Sequence, residues 1–84
     1  MKPIRLTKHA LEQYEERGAT QEEVFEAVIN GVKEPAEKGR LLARLNFQFS
    51  NVWNGNFYPI KQVAPVFIEE EKEIVVITVY TFYF

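Results

Sequence analysis

His9 follows Thr7 by two residues, a spacing that puts an imidazole in the first turn of any helix that Thr7 caps. The leading N–H groups of a helix lack intrahelical partners, and the helix dipole there attracts anions. A phosphate held at that end would lie beside a ring able to move a proton. His9 is therefore a candidate general base or acid. The ordinary alternative is a solvated histidine that assists capping. Arg17 falls about 80° round the same helix from His9 and could hold a phosphate or stabilise a pentacoordinate transition state. Equally, a cation in a last helical turn simply offsets the dipole. Thr78 and Tyr80 are expected to share a strand face with Val76 and Phe82. A hydroxyl among apolar neighbours needs a partner, and a phenol can protonate a leaving group, although core packing accounts for Thr78 as well. Arg40 and Arg44 alternate onto one face with Leu42, Asn46 and Gln48, a spacing suited to successive phosphates. Lys61 adds a third cation to that expected face, whose plainer reading is the solvent side of a two-faced strand.

Composition narrows the chemistry. The chain has 84 residues, a net charge of −2 and a 46% hydrophobic content rich in Phe and Tyr, enough for one domain with one core. With no Cys and no Asp and a single His, a disulfide framework, thiol catalysis and a conventional metal site are not expected, nor is a cofactor. The overall charge argues against a general nucleic-acid binder. That average hides an asymmetry: no acidic residue occurs between Lys38 and Ile68, where Lys38, Arg40, Arg44 and Lys61 stand among Phe47, Phe49, Trp53, Phe57, Tyr58 and Phe67. A basic, aromatic sheet face on an acidic protein is the inference. Lys2 and Arg5 are followed by no apolar run of the kind a signal peptide needs, and no stretch approaches a membrane span, so a cytoplasmic location without membrane contact is expected.

The elements that must carry these residues follow from periodicity. Ile4-Arg5-Leu6 reads as a short strand and Thr7 as the cap of a helix to about Arg17, closed by Gly18. Thr20-Gln21-Glu22-Glu23 is a capping box, after which Val24, Phe25, Val28, Ile29 and Val32 recur at helical spacing. The period then changes to two, with strands predicted over Arg40 to Phe49, Lys61 to Glu69 and Glu73 to about Tyr83, and a loop at Asn54-Gly55-Asn56. Pro65 should force a bulge or an edge position. The β-branched run Ile74 to Val79 should be buried on both faces. The last aromatic residues, Thr81-Phe82-Tyr83-Phe84, should pack under a helix or join a homodimer interface. The fold class is α+β: two N-terminal helices on one face of a mostly antiparallel sheet of three to five strands, forming a single domain over 1–84.

The opening Leu6-Thr7-Lys8-His9-Ala10, the Arg17-Gly18 pair before a capped second helix, and the closing Val76-Ile77-Thr78-Val79-Tyr80 resemble the small family named domain of unknown function 4258. That family is similar to the RelE- and BrnT-type toxin fold, many of whose members are metal-independent ribonucleases. The resemblance implies an RNA-binding or RNA-cleaving domain with His9, Arg17, Thr78 and Tyr80 at its site. It also implies RNA as a ligand and an antitoxin-like protein as a possible partner. RelE-type toxins usually place an Arg on the later strands near a C-terminal Tyr, whereas no Arg follows Arg44 in this chain. A non-catalytic interaction or dimerisation module of the same fold is the alternative. Convergence of His9, Arg17 and Thr78 would separate an enzyme from such a module.

Overall fold

The computed structural model describes residues 2–84. Strand β1 (Ile4–Leu6) leads into helix α1 (Lys8–Glu16), helix α2 (Gln21–Asn30) and a short strand β2 (Val32–Pro35). A single 3-10 turn (Glu37–Gly39) then precedes three long strands: β3 (Leu41–Trp53), β4 (Asn56–Glu69) and β5 (Ile74–Tyr83). The sheet order is β1-β5-β4-β3-β2, parallel between β1 and β5 and antiparallel elsewhere. This is an α+β fold with its helices N-terminal to a mostly antiparallel sheet. No helix among the described residues is long and apolar enough to cross a membrane.

Both caps form as their residue types require. Thr7 accepts from Ala10 N–H (3.1 Å), and in the α2 capping box Thr20 and Glu23 satisfy each other's backbone N–H groups at 3.1 and 2.9 Å. Helix α2 stops at Asn30, so Val32 is not on its apolar face: it begins β2 and is 77% exposed. Gly31 explains the change. A Cβ there would collide with the carbonyls of Ala27 and Arg44, so only glycine lets the helix end press against β3. The core lies between the helices and one sheet face, built from Ala10, Val24, Ala27 and Val28 against Ala43, Val63, Phe67, Val76 and Val79. Burial of Phe67 alone contributes about 2–3 kcal/mol.

Three features differ from the strand pattern read in the sequence. The strands β3 and β4 extend to a tight turn at Asn54-Gly55, four residues past the predicted end of the first and five before the predicted start of the second. Pro65 sits in the central strand β4, fully buried, rather than at an edge; it lies opposite Val79. The expected irregularity is a bulge in β5: Val66 pairs Thr78, yet Phe67 pairs Val76, so Ile77 is an extra residue. That one insertion changes which side chains share a face. Val76 and Val79 both enter the core, while Thr78 lines the opposite, helix-free face with Tyr80. Val76 therefore does not share a face with Thr78 and Tyr80, because a bulge shifts the alternation by one.

Candidate functional site

Helix α1 lies along the part of β5 that β1 leaves uncovered. β1 pairs only with Ile74 to Val76. Beyond it, Thr7 N–H donates to Val76 O (3.0 Å) and the Thr7 hydroxyl to Ile77 O (3.1 Å), fixing the start of the helix at the bulge. His9 is thereby held at the sheet edge, its Nε2 3.3 Å from Thr78 Oγ1, with the ring exposed to solvent. At the other end of α1, Arg17 Nη1 donates to Val79 O (2.8 Å) and its guanidinium lies 5.2 Å from the centre of the Tyr80 ring. The two ends of one helix thus deliver His9 and Arg17 to consecutive residues of β5. His9 meets Thr78 and Arg17 meets Tyr80, as two neighbouring pairs at opposite ends of the helix.

On the helix-free face beside these pairs is a shallow cavity of about 380 Å³, walled by Ala36, Glu37, Arg40, Leu42, Val66, Thr78 and Tyr80. Arg40 adds a cation to the lining, and its buried Nε has no hydrogen-bond partner among the described residues. An N–H without a partner is costly, and because this one is shielded from solvent, a ligand in the cavity would reach it only if the Arg40 side chain moved. The cavity does not lie where α1 meets the sheet; His9 touches Thr78 from the edge and is not part of the cavity wall. Sequence reasoning missed Glu37, which places a carboxylate opposite the hydroxyl groups. Its position depends on the β2–β3 connection folding over the sheet, for which the sequence gives no signal beyond Lys38-Gly39.

The common basic face expected of Arg40, Arg44 and Lys61 does not form. Arg44 is on the helix-free face, but its Nε is paired with Glu34 (2.9 Å), its Nη1 donates to Gln62 Oε1 (3.0 Å), and it lies 5.6 Å from the centre of the Phe82 ring. Lys61 is on the other side of the sheet, only 6% exposed. It alternates with Val63 and Phe67 toward the helices, where its ammonium meets Glu23 (2.8 Å), the Gly18 carbonyl (3.0 Å) and the face of Phe49 (5.3 Å). Lys61 therefore ties the α1–α2 turn to the sheet. A phosphate cannot reach it without unfolding that turn.

The C-terminal aromatic residues also divide between the two sides. Tyr83 donates to the Arg17 carbonyl and stacks on Trp53 (4.9 Å, 16°), with Phe49 and Tyr58 at its edges. Burial, and after it the charge of Glu23, raises the pKa of its phenol above the ordinary tyrosine value. Tyr80, Phe82 and Phe84 are exposed, and the Tyr80 and Phe82 rings lie 6.4 Å apart. No three potential metal-ligating side chains gather among the described residues. No family model, curated protein or solved structure matches this chain at a significant level.

Proposed function

We propose that the domain binds single-stranded RNA along the β5 edge and cleaves it without a metal ion. The contact of His9 with Thr78, two residues from a Tyr80 ring that Arg17 covers, is the observation that carries this reading. It sets a proton-transfer group against a hydroxyl and a guanidinium against a phenol at the two ends of α1, so that RNA lying along β5 can meet both pairs. In the proposed reaction His9 takes the proton of a ribose 2′-hydroxyl, whose oxygen bonds to the adjacent phosphorus as the bond to the 5′-oxygen breaks. Tyr80 supplies the proton that the departing oxygen needs, and the products are a 2′,3′-cyclic phosphate and a 5′-hydroxyl. Arg17 and Arg40 neutralise the phosphate, while Arg44 can contribute only by giving up Glu34. Exposed Tyr80 and Phe82 offer faces on which bases stack, worth about 1–3 kcal/mol per base.

The second reading is a non-catalytic module that uses the exposed rings of Tyr80, Phe82 and Phe84 to hold a partner protein, an antitoxin-like one included. Incubation of purified protein with a short unstructured RNA, followed by mapping of the product ends, distinguishes the two. Cyclic-phosphate ends that vanish with His9→Ala while RNA binding persists support the enzyme. Intact RNA, with the affinity of His9→Ala and Arg40→Gln equal to wild type, would remove RNA from consideration.

A further inference from the structure

The outer edge of β3 is open over most of its length. β2 pairs only with Leu41 to Arg44, so among the described residues no strand lies on the outer side of Leu45 to Trp53. Within this stretch Val52 N–H is taken up by the neighbouring Asn51 side chain (2.7 Å). Proteins ordinarily protect such edges with charged residues, proline or a bulge on the strand, and of these only the bulge between Gln48 and Asn51 is present. Here no charged residue occurs from Leu45 to Ile60, and β3 contains no proline. The β3–β4 hairpin also projects: the molecule measures 41 × 24 × 24 Å, and β3 and β4, at about 3.3 Å per residue, are the elements long enough to span it.

Exposed apolar side chains stand at both ends of this edge. At the hairpin tip Val52 and Phe57 are directly paired and are 57% and 63% exposed. At the other end, where β2 stops, Val32 projects beside a groove walled by Arg44, Leu45, Asn46 and Gln62. Tip and groove are thus separated by the length of the free edge itself. A two-fold axis through the middle of the edge, near Phe49, would bring each tip to the other copy's groove.

We infer that this edge is a homodimer interface in which β3 pairs antiparallel with β3 of a second copy. Antiparallel pairing about a two-fold axis requires a segment to be its own complement, and an uncharged segment meets that condition without placing like charges opposite each other. The irregularity between Gln48 and Asn51 falls at the axis, leaving Leu45–Gln48 to form the ladder with Asn51–Trp53 of the second copy once the Asn51 side chain releases the Val52 N–H. The axis runs perpendicular to the sheet, so the two sheets join into one of ten strands and both helix-free faces point the same way. The two β5 edges then lie at opposite ends of the dimer. This interface is independent of the RNA reading, and it is not the C-terminal aromatic strand.

The test is the solution mass. Light scattering of the full chain should give twice 9.9 kDa at micromolar concentration. Val52→Lys combined with Asn46→Lys should halve it while leaving the circular dichroism spectrum unchanged. Both positions are exposed, so the fold does not depend on them. A second variant avoids reliance on disruption. The chain has no cysteine, so Ser50→Cys near the axis should cross-link to its copy under mild oxidation, whereas Glu26→Cys on α2 should not. A mass of 9.9 kDa at every concentration up to millimolar overturns the proposal. So does a dimer that survives Val52→Lys but is lost in Phe82→Lys, or a Ser50→Cys protein that stays monomeric on oxidation.

Discussion

Replacing Lys61 separates the structural role of this cation from the RNA-contact role its sequence neighbourhood suggested. Its ammonium is nearly excluded from water and makes two charge-assisted contacts, to Glu23 at 2.8 Å and to the Gly18 carbonyl at 3.0 Å. Each such hydrogen bond contributes about 1.5–3 kcal/mol, but desolvating the ammonium offsets much of the sum. In Lys61→Met the stem volume is kept and the Gly18 carbonyl loses its donor. Glu23 retains the Thr20 N–H and partial access to water. The expected loss is therefore about 2–3 kcal/mol, toward the low end for breaking a buried pair. Glu23→Gln should cost more, about 3–5 kcal/mol, because it leaves a buried ammonium unpaired. The double variant should lose less than the two single losses combined, with a coupling of about 1–3 kcal/mol. Urea unfolding followed by circular dichroism measures all three, and for a domain of this size 1 kcal/mol moves Tm by about 4–8 °C. RNA affinity of the folded Lys61→Met protein should equal that of wild type. A stability loss below about 0.5 kcal/mol, the ordinary range for surface positions, or a weakened RNA complex, would refute the assignment of Lys61 to the α1–α2 anchor.

Arg40→Gln should show the opposite behaviour, with unfolding unchanged within about 0.5 kcal/mol. RNA binding should weaken, with a salt dependence shallower by about one unit in the log–log plot, read by fluorescence anisotropy across a salt series. Gly18→Ala should destabilise by about 2–4 kcal/mol in urea melts, since its φ of +80° strains an L-residue and the new Cβ would lie 2.5 Å from the Tyr83 hydroxyl and 2.7 Å from Trp53. Tyr83 carries a pH prediction. Its raised pKa means that the folded state holds the phenolic proton more tightly than the unfolded chain does. The stabilisation is complete below the ordinary tyrosine value of about 10 and is lost as pH rises through the folded value. Tyr83→Phe should lower stability at neutral pH by losing the bond to the Arg17 carbonyl, yet flatten the decline above pH 10. An equally steep alkaline decline in Tyr83→Phe would assign it to other groups.

Much of the frame is a local property of the chain. Thr7 and Thr20 with Glu23 announce two helix starts because a side-chain oxygen three residues from an orphan N–H can satisfy it wherever the helix later packs. The apolar spacing of Val24 and Val28, and the alternation from Leu41 to Phe47, likewise commit those segments to a helix and a strand with one buried face. The reason for the helix stop at Gly31, the approach of the Arg44 carbonyl, is tertiary.

The side of the sheet to which a cation belongs is decided over longer distances. Arg40, Arg44 and Lys61 look equivalent in a stretch free of acidic residues, but a strand hides every second residue, and Lys61 falls in phase with Val63 and Phe67. Its buried charge is tolerated because Glu23, far away in sequence, is brought to 2.8 Å by α2. The bulge at Ile77 is also a tertiary outcome. Two strands read separately give no register, and one extra residue is enough to send Val76 into the core while turning Thr78 to the opposite face beside His9. Sequence alone thus marked both helices and the middles of four strands, though not β2, and supplied the site's residue types. Only the packing of α1 along the uncovered edge of β5 decided which of them meet, because that contact depends on β1 ending at Leu6, three residues into its pairing with β5.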